Sequence, residues 1–305
     1  MIKNYLKAAR LRTLPLSVSG IILGSSIGST HLNSFSDISS HLFVIERPVF
    51  WLSIFTTIGF QILSNFANDY GDGVKGADKN RTGETRMVAS GAISPKQMKR
   101  AMDITTVITL LVAFTLIYVA FGKDNFGYSV LFIALGIGSI IAAMKYTVGK
   151  SAYGYSGFGD IFVFLFFGLL SVAGSCFLLS KQLQIFVFLP AFSIGMLSTA
   201  VLNLNNMRDR SNDEKVGKNT IVVKIGAQFA KYYHYSLIIG SLLFALAYSF
   251  INNAEPKQYL YLISYIPLFR HLWFVYKNRD ESMLDGQLKI VTLSTFLFAI
   301  LFGHT

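Results

Sequence analysis

Long apolar stretches separated by short polar segments run through the whole sequence. A helix needs roughly 20 mainly apolar residues to cross the hydrocarbon core of a bilayer, and about nine stretches approach or reach that length. They lie near 14–30, 49–67, 100–121, 128–144, 158–180, 185–206, 234–252, 259–276 and 288–303. The pattern therefore predicts an all-α integral membrane protein, a bundle of about nine transmembrane helices that forms a single domain over residues 1–305.

The first apolar stretch carries glycines at a regular interval. Gly20, Gly24 and Gly28 recur every four residues, so a helix would place them on one face. Small residues at this spacing let helix backbones approach closely inside a membrane. We therefore interpret this stretch as a packed membrane helix rather than as a cleaved signal peptide.

The composition agrees with a membrane protein, and it excludes an internal disulfide and a metal site built from cysteine thiolates. Hydrophobic residues make up 52% of the chain, only 14% of residues are charged, and the mean hydropathy is +0.50. Soluble domains carry roughly a quarter charged residues. The single cysteine, Cys176, excludes an internal disulfide and a thiolate metal cage, and the five histidines fall at no metal-ligand spacing.

The net charge of +11 is distributed unevenly between the two predicted faces. With nine spans, 22 Lys and Arg residues lie on the face that contains the N-terminus and 4 on the other, while Arg270 falls within a span. Cytoplasmic loops carry the excess of Lys and Arg in membrane proteins. We therefore expect a multi-pass protein of the inner (plasma) membrane with a cytoplasmic N-terminus, and no nucleic-acid partner.

The two longest polar stretches, 68–98 and 207–231, both fall on the cytoplasmic side and each contains an acidic pair. Asp69 and Asp72 stand three residues apart in NDYGDGVKGAD, and Asp209 and Asp213 stand four apart in RDRSND. On a continuing helical turn, each pair would share a face. Neighbouring carboxylates repel one another, and a magnesium ion with oxygen ligands would relieve that repulsion. The neighbouring amides of Asn68 and Asn206 would add neutral oxygen ligands.

Basic residues are interleaved with these acidic pairs. They are Lys75, Lys79, Arg81, Arg86, Arg208, Lys215 and Lys218. Such groups suit a polyanion held against a metal, and a site at the rim of a helical bundle suits a ligand with an apolar tail. A polyprenyl diphosphate has both properties. Solvated cytoplasmic loops would also contain these residue types, but the recurrence of two similar clusters on one face favours a site.

A membrane transporter is the main alternative from another functional class. Transporters place their ion-binding side chains near the middle of the membrane, on broken helices. Here both acidic clusters lie at the cytoplasmic rim with several cations around them, which favours a diphosphate site.

The two acidic motifs resemble those of the UbiA superfamily of intramembrane prenyltransferases, which have the forms NDxxDxxxD and DxxxD. Asp209 and Asp213 match the second in full. Asn68, Asp69 and Asp72 match the first, but Gly76 replaces its last aspartate and Asp78 follows two residues later, which leaves the role of Asp78 open.

Three longer segments are similar to the branch of the superfamily that acts in menaquinone synthesis: ARLRTLPLSVSG, YTVGKSAYGYSGFGD and NNMRDRSNDEKVGKNTIVVKIG. This resemblance implies magnesium-dependent transfer of a polyprenyl chain to 1,4-dihydroxy-2-naphthoate, with loss of carbon dioxide, giving demethylmenaquinone. Other aromatic acceptors such as 4-hydroxybenzoate, the prenyl chain length and the oligomeric state stay open.

The resemblance also implies roles for individual residues. Magnesium ligands would be Asn68, Asp69, Asp72, Asn206, Asp209 and Asp213. Diphosphate contacts would be Arg81, Arg86, Arg208 and Lys218, and acceptor contacts Tyr146, Lys150 and Asp160. Among these, we expect Asp72, Asp209 and Tyr146 to be catalytic, and no residue is assigned as a general base. Arg270 and His271 within the eighth span either meet substrate, or Arg270 pairs with an acid or a carbonyl inside the bundle.

Overall fold

The computed structural model describes residues 1–32, 44–76, 85–149 and 152–303. These described residues are mostly α-helical and include no β-strand. In chain order the helices are α1 Ile2–Ala9, α2 Leu14–Leu32, α3 Pro48–Lys75, α4 Pro95–Phe121, α5 Phe126–Lys145, α6 Gly159–Ser180, α7 Phe188–Lys215, α8 Ile221–Ile251, α9 Tyr265–Lys277 and α10 Asp285–Gly303.

The predicted bundle of membrane helices is confirmed. Across the described ranges, eight helical segments are long and apolar enough to cross a membrane, the first running through α1 and α2. The remaining predicted span, 259–276, consists of a 3-10 segment, Pro256–Ser264, that continues directly into the 13 residues of α9. The chain is thus an all-α, multi-pass membrane protein.

The predicted ends of the second and sixth spans were wrong, and this changes where the acidic motifs lie. Helix α3 continues to Lys75 and α7 to Lys215, about two turns beyond the predicted ends at 67 and 206. Hydropathy marks where apolar side chains stop, whereas α3 ends only at Gly76, which has a positive φ of 74° and caps the helix. The four aspartates therefore lie on helices and not in loops: Asp69, Asp72, Asp209 and Asp213.

The glycine face of α2 packs directly on α6, as expected for a packed membrane helix. A Cβ atom at Gly24 would lie 2.1 Å from the carbonyl oxygen of Val172. Elsewhere on α6, a Cβ atom at Gly168 would lie 2.6 Å from the Cα of Gly195 in α7. The segment Phe164–Ala173 of α6 is π-helical. Helix α6 is therefore held between α2 and α7 by close backbone contact.

A chain of buried and half-buried polar side chains joins the last four helices. The Nε2 atoms of His234 in α8 and His271 in α9 lie 2.8 Å apart. The Nδ1 atom of His234 lies 3.2 Å from the Asn203 amide oxygen in α7, and the Nδ1 atom of His271 lies 2.9 Å from the Gln287 amide oxygen in α10. Because His271 is engaged in this chain, it serves the packing of the bundle. Its neighbour Arg270 does not line the large cavity described next.

Candidate active site

One large cavity, of about 560 Å³, runs between α2–α7 and α10. Ser53 and Asp72 of α3 both line it, so it extends for about 28 Å along that helix, close to the roughly 30 Å thickness of a bilayer's hydrocarbon core. Its walls are mainly apolar and include Leu16, Ile21, Phe60, Leu116, Phe132, Phe166, Phe167, Leu170 and Leu178. Its polar end includes Asn68, Asp72, Arg86, Asn206 and Lys218. This shape fits a ligand with an anionic head and a long apolar tail.

Asp72 presents its carboxylate to the polar end of the cavity. The Tyr155 hydroxyl donates to Asp72 Oδ1 at 2.8 Å, and an Arg86 guanidinium nitrogen lies 3.9 Å from Asp72 Oδ2. One turn earlier, Asn68 Oδ1 accepts a hydrogen bond of 3.2 Å from the Thr147 hydroxyl. The first motif therefore contributes one carboxylate and one amide to the cavity.

Asp69 points elsewhere. Its side chain is buried, and its two oxygens accept backbone hydrogen bonds from Met87 at 3.0 Å and Val88 at 2.8 Å. It is not among the residues that line the cavity. Since Arg86 immediately precedes these two amides, Asp69 fixes the turn that brings the Arg86 guanidinium to Asp72.

The second motif is dominated by ion pairs. Arg208 donates to both oxygens of Asp209, from Nε and Nη2 at 2.8 Å each, and its Nη1 lies 2.5 Å from an Asp285 oxygen. Lys218 Nζ lies 3.6 Å from Asp213 Oδ1. Asn206 and Lys218 line the cavity, whereas Arg208, Asp209 and Asp213 are not among the residues that line it. The structure therefore places Arg208 as a clamp between α7 and α10.

Four aromatic side chains form a continuous series along the cavity beside the polar end. The rings of Tyr146 and Tyr153 meet edge to face at 5.3 Å, Tyr153 stacks on Phe162 at 4.0 Å, and Phe162 stacks on Phe166 at 6.0 Å. All four line the cavity. Burial, and secondarily the charge of Asp160, raises the pKa of Tyr146 above its ordinary value. The Tyr146 phenol is thus neutral and offers an electron-rich ring together with a hydroxyl.

The remaining predicted residues lie in different places. Asp160 is buried at the start of α6 near the side chain of Tyr233, and it does not line the cavity. Arg81, Lys150 and Asp78 fall outside the described residues.

The model of the UbiA prenyltransferase family matches residues 35–296 of this chain, most of its length. The chain belongs to the UbiA prenyltransferase family. The resemblance drawn from the two acidic motifs is confirmed, and with it the expectation of a prenyltransferase.

Two relatives of this UbiA-family protein share almost its full length. A 1,4-dihydroxy-2-naphthoate octaprenyltransferase of Haemophilus influenzae is 38% identical over 304 residues, covering 99% of this chain and 95% of its own. The protein of the same name in Escherichia coli is 38% identical over 301 residues, covering 97% and 94%.

The fold of the UbiA-family protein is also similar to that of a solved structure. A UbiA homolog from Archaeoglobus fulgidus, solved bound to GPP and Mg²⁺, superposes with a TM-score of 0.65. The alignment covers 98% of this chain and 99% of that one at 14% sequence identity. At this identity the likeness establishes the shared fold.

The oxygen donors at the polar end of this UbiA-family site fit a magnesium ion. Within the described ranges, no group of three or more His, Cys, Asp and Glu side chains converges as a complete metal cage. The Asp72 carboxylate and the amides of Asn68 and Asn206 nevertheless line the same end of the cavity. Magnesium commonly takes one or two carboxylates and completes its shell with substrate phosphate oxygens and water. The donor set suits a metal that binds together with a diphosphate.

The sequence did not single out several residues that the UbiA-family fold brings to the cavity or its rim. Arg10, Arg12 and Lys289 line the cavity, and Tyr155 bonds to Asp72. Arg10, Arg12 and Tyr155 all lie in segments that carry the family resemblance, and that resemblance was the signal by which the sequence could have identified them. For Lys289, the only signal was a cation at the start of the last apolar stretch.

Proposed function

We propose that this UbiA-family protein transfers a polyprenyl chain from polyprenyl diphosphate to 1,4-dihydroxy-2-naphthoate, with decarboxylation, giving demethylmenaquinone in its quinol form. The observation that carries the proposal is the 38% identity, over nearly the whole chain, to two relatives named 1,4-dihydroxy-2-naphthoate octaprenyltransferase. The long cavity with one polar end supports it, because a polyprenyl diphosphate matches that distribution of polar and apolar surface.

The polar end and the apolar walls of the cavity determine how the polyprenyl diphosphate binds. The diphosphate lies at the polar end, where Arg86 and Lys218 supply positive charge, and the prenyl tail lies along the apolar walls. Asn68, Asp72 and Asn206 would hold magnesium, which neutralises charge on the leaving diphosphate when bound. Asp209 and Asp213 do not line the cavity, and each is paired with a cation.

Ionisation breaks the bond between the allylic carbon and the diphosphate oxygen, and the electron pair leaves with the diphosphate. The aromatic series from Tyr146 to Phe166 lines the cavity next to this position, and ring faces attract cations. The mainly apolar cavity also keeps water from the allylic cation. These residues therefore protect the reactive carbon until the acceptor attacks.

The acceptor reaction needs little proton transfer at carbon. The ring carbon that bears the carboxylate forms a bond to the allylic carbon, and the bond to the carboxylate then breaks, returning its electron pair to the ring as carbon dioxide leaves. No proton has to be removed from that carbon. This agrees with a neutral Tyr146, which serves as a hydrogen-bonding and ring-stacking group and not as a base.

The orientation proposed for the protein is a cytoplasmic N-terminus in the inner membrane. The excess of Lys and Arg on that face supports it, 22 against 4. The polar end of the cavity lies at the C-terminal ends of α3 and α7, on the same face. A cytoplasmic active site would receive both substrates from the side on which soluble precursors are made.

The experiment uses purified protein in detergent with a polyprenyl diphosphate and either 1,4-dihydroxy-2-naphthoate or 4-hydroxybenzoate, with magnesium or a chelator. Mass spectrometry identifies the products. The proposal expects a magnesium-dependent prenylated naphthoquinol that lacks the carboxyl group. A prenylated hydroxybenzoate as the only product would show that 4-hydroxybenzoate is the acceptor. The absence of product with any aromatic acceptor would favour the transporter hypothesis.

A further inference from the structure

Tyr155 lies between the two acidic motifs and bonds to the first of them. Its hydroxyl donates to Asp72 Oδ1 at 2.8 Å. Its backbone oxygen accepts a hydrogen bond of 3.0 Å from the amide of Asn219, in the turn that follows the second motif. One residue thus connects α3 with the end of α7 through both its side chain and its main chain.

Two lysine ammonium groups also lie against the ring of Tyr155. Lys75 Nζ lies 4.1 Å from the ring centroid, and Lys218 Nζ lies 5.8 Å from it. Lys218 is in turn 3.6 Å from Asp213 Oδ1. Two like charges beside one ring repel each other, and an anion bound between the motifs would relieve that repulsion. Lys218, which lines the polar end of the cavity, is therefore placed to meet a diphosphate, and Lys75 shares its ring.

The segment around Tyr155 is fixed on both sides. Lys75 Nζ donates to the Thr147 carbonyl oxygen at 2.9 Å, and Lys224 Nζ donates to the Ser156 carbonyl oxygen at 2.7 Å. The following Gly157 has a positive φ of 87°, which most side chains disfavour. The contact of Lys224 fixes the backbone directly after Tyr155.

We propose that Tyr155 is a positioning residue that couples the two motifs. Its hydroxyl orients the Asp72 carboxylate at the polar end of the cavity, and its ring holds Lys218, which lines that end, together with the neighbouring Lys75. The inference rests on the diphosphate site of the proposed function and adds a residue that the acidic motifs do not contain. Hydrogen bonds to metal-binding carboxylates commonly change metal affinity by 10- to 100-fold.

Two variants separate the hydroxyl from the ring. Tyr155→Phe keeps the ring and removes the hydrogen bond to Asp72, whereas Tyr155→Leu removes both. Tyr232→Phe is the matched control, because it deletes a hydroxyl from a side chain on the exposed surface of α8. Thermal unfolding in detergent first establishes that each variant is folded.

Binding of Mn²⁺ to the protein with a polyprenyl diphosphate present and no acceptor, followed by electron paramagnetic resonance, tests the hydroxyl. We expect the Mn²⁺ dissociation constant to rise about tenfold in Tyr155→Phe and to stay unchanged in Tyr232→Phe. Raising the magnesium concentration should restore the turnover of Tyr155→Phe. A dissociation constant within twofold of that of the parent protein would overturn the role of the hydroxyl.

The KM for polyprenyl diphosphate at saturating magnesium tests the ring. It should rise about tenfold in Tyr155→Leu and remain near the parent value in Tyr155→Phe, since only the first loses the contact with both ammonium groups. Equal KM values in the two variants would refute the role of the ring. Mn²⁺ binding needs no acceptor. If the Mn²⁺ dissociation constant rises as expected but no prenylated naphthoquinol forms, this inference stands and the proposed acceptor is rejected.

Discussion

Asp69 accepts a 2.8 Å hydrogen bond from the backbone amide of Val88, so the first carboxylate of the acidic motif holds a turn and does not line the cavity. Asp69→Ala would leave the buried amides of Met87 and Val88 without their acceptor. We expect a loss of about 2 to 4 kcal/mol in unfolding free energy, measured by denaturant unfolding in detergent. Asp103→Ala, on the exposed face of α4, is the control and should change little.

Asp72→Ala tests whether the Asp72 carboxylate is needed for turnover and not for folding. The variant should remain folded and extractable but lose more than about a hundredfold in turnover, because it removes the carboxylate that faces the cavity. Product formation with saturating magnesium measures the effect. Near-normal turnover would contradict the assignment of Asp72 as a metal ligand.

Gly24→Ala tests the contact between α2 and α6. The added methyl group would lie 2.1 Å from the Val172 carbonyl oxygen, so the helices must separate. We expect a destabilisation of about 1 to 3 kcal/mol and a lower melting temperature. Gly138→Ala in α5 is the matched control, since nothing lies within 4 Å of the added atom. Equal melting temperatures for the two variants would show that the close approach is not required.

The contact between His234 and His271 can be measured by a double-mutant cycle with alanine. Hydrogen bonds between membrane helices average about 0.6 kcal/mol and reach about 1.7 kcal/mol. We expect a coupling free energy of about 1 kcal/mol, since both side chains are buried and their Nε2 atoms lie 2.8 Å apart. Strictly additive single and double variants would show that the two rings do not stabilise each other.

Tyr146 should contribute no ionisation to the pH dependence of turnover. Its pKa is raised, so the neutral phenol persists through the range near pH 10 where an ordinary tyrosine ionises. Tyr146→Phe is expected to lower turnover at every pH without changing the shape of the profile. A basic limb that disappears in the variant would instead identify Tyr146 as an ionising group.

Apolar stretches located the membrane helices because side chains facing lipid or the core must be apolar over the thickness of the bilayer. The same signal misplaced the ends of α3 and α7, since a helix continues into polar sequence until its backbone is capped, as Gly76 does for α3. Locating such an end from sequence requires finding the cap, not the last apolar residue.

The acidic pairs were found by spacing, but their separate roles were not. Asp69 and Asp72 are three residues apart, yet one contacts the turn at Met87 and the other faces the cavity. Which role each takes depends on a turn that returns to α3 from later in the chain. Tyr155 was not singled out for a similar reason, since its partners lie on α3 and beyond α7.

Helix α6 touches α2 at Gly24 and α7 at Gly168 through backbone atoms, while Phe166, Phe167 and Leu170 line the cavity. Because the main chains are already in contact, the helices cannot move closer to fill a lost side chain. Replacing Phe166 by a small residue would therefore leave a lasting void. The width available to a prenyl chain along this wall is thus set by individual side chains, and donor selectivity can change there without a change of fold.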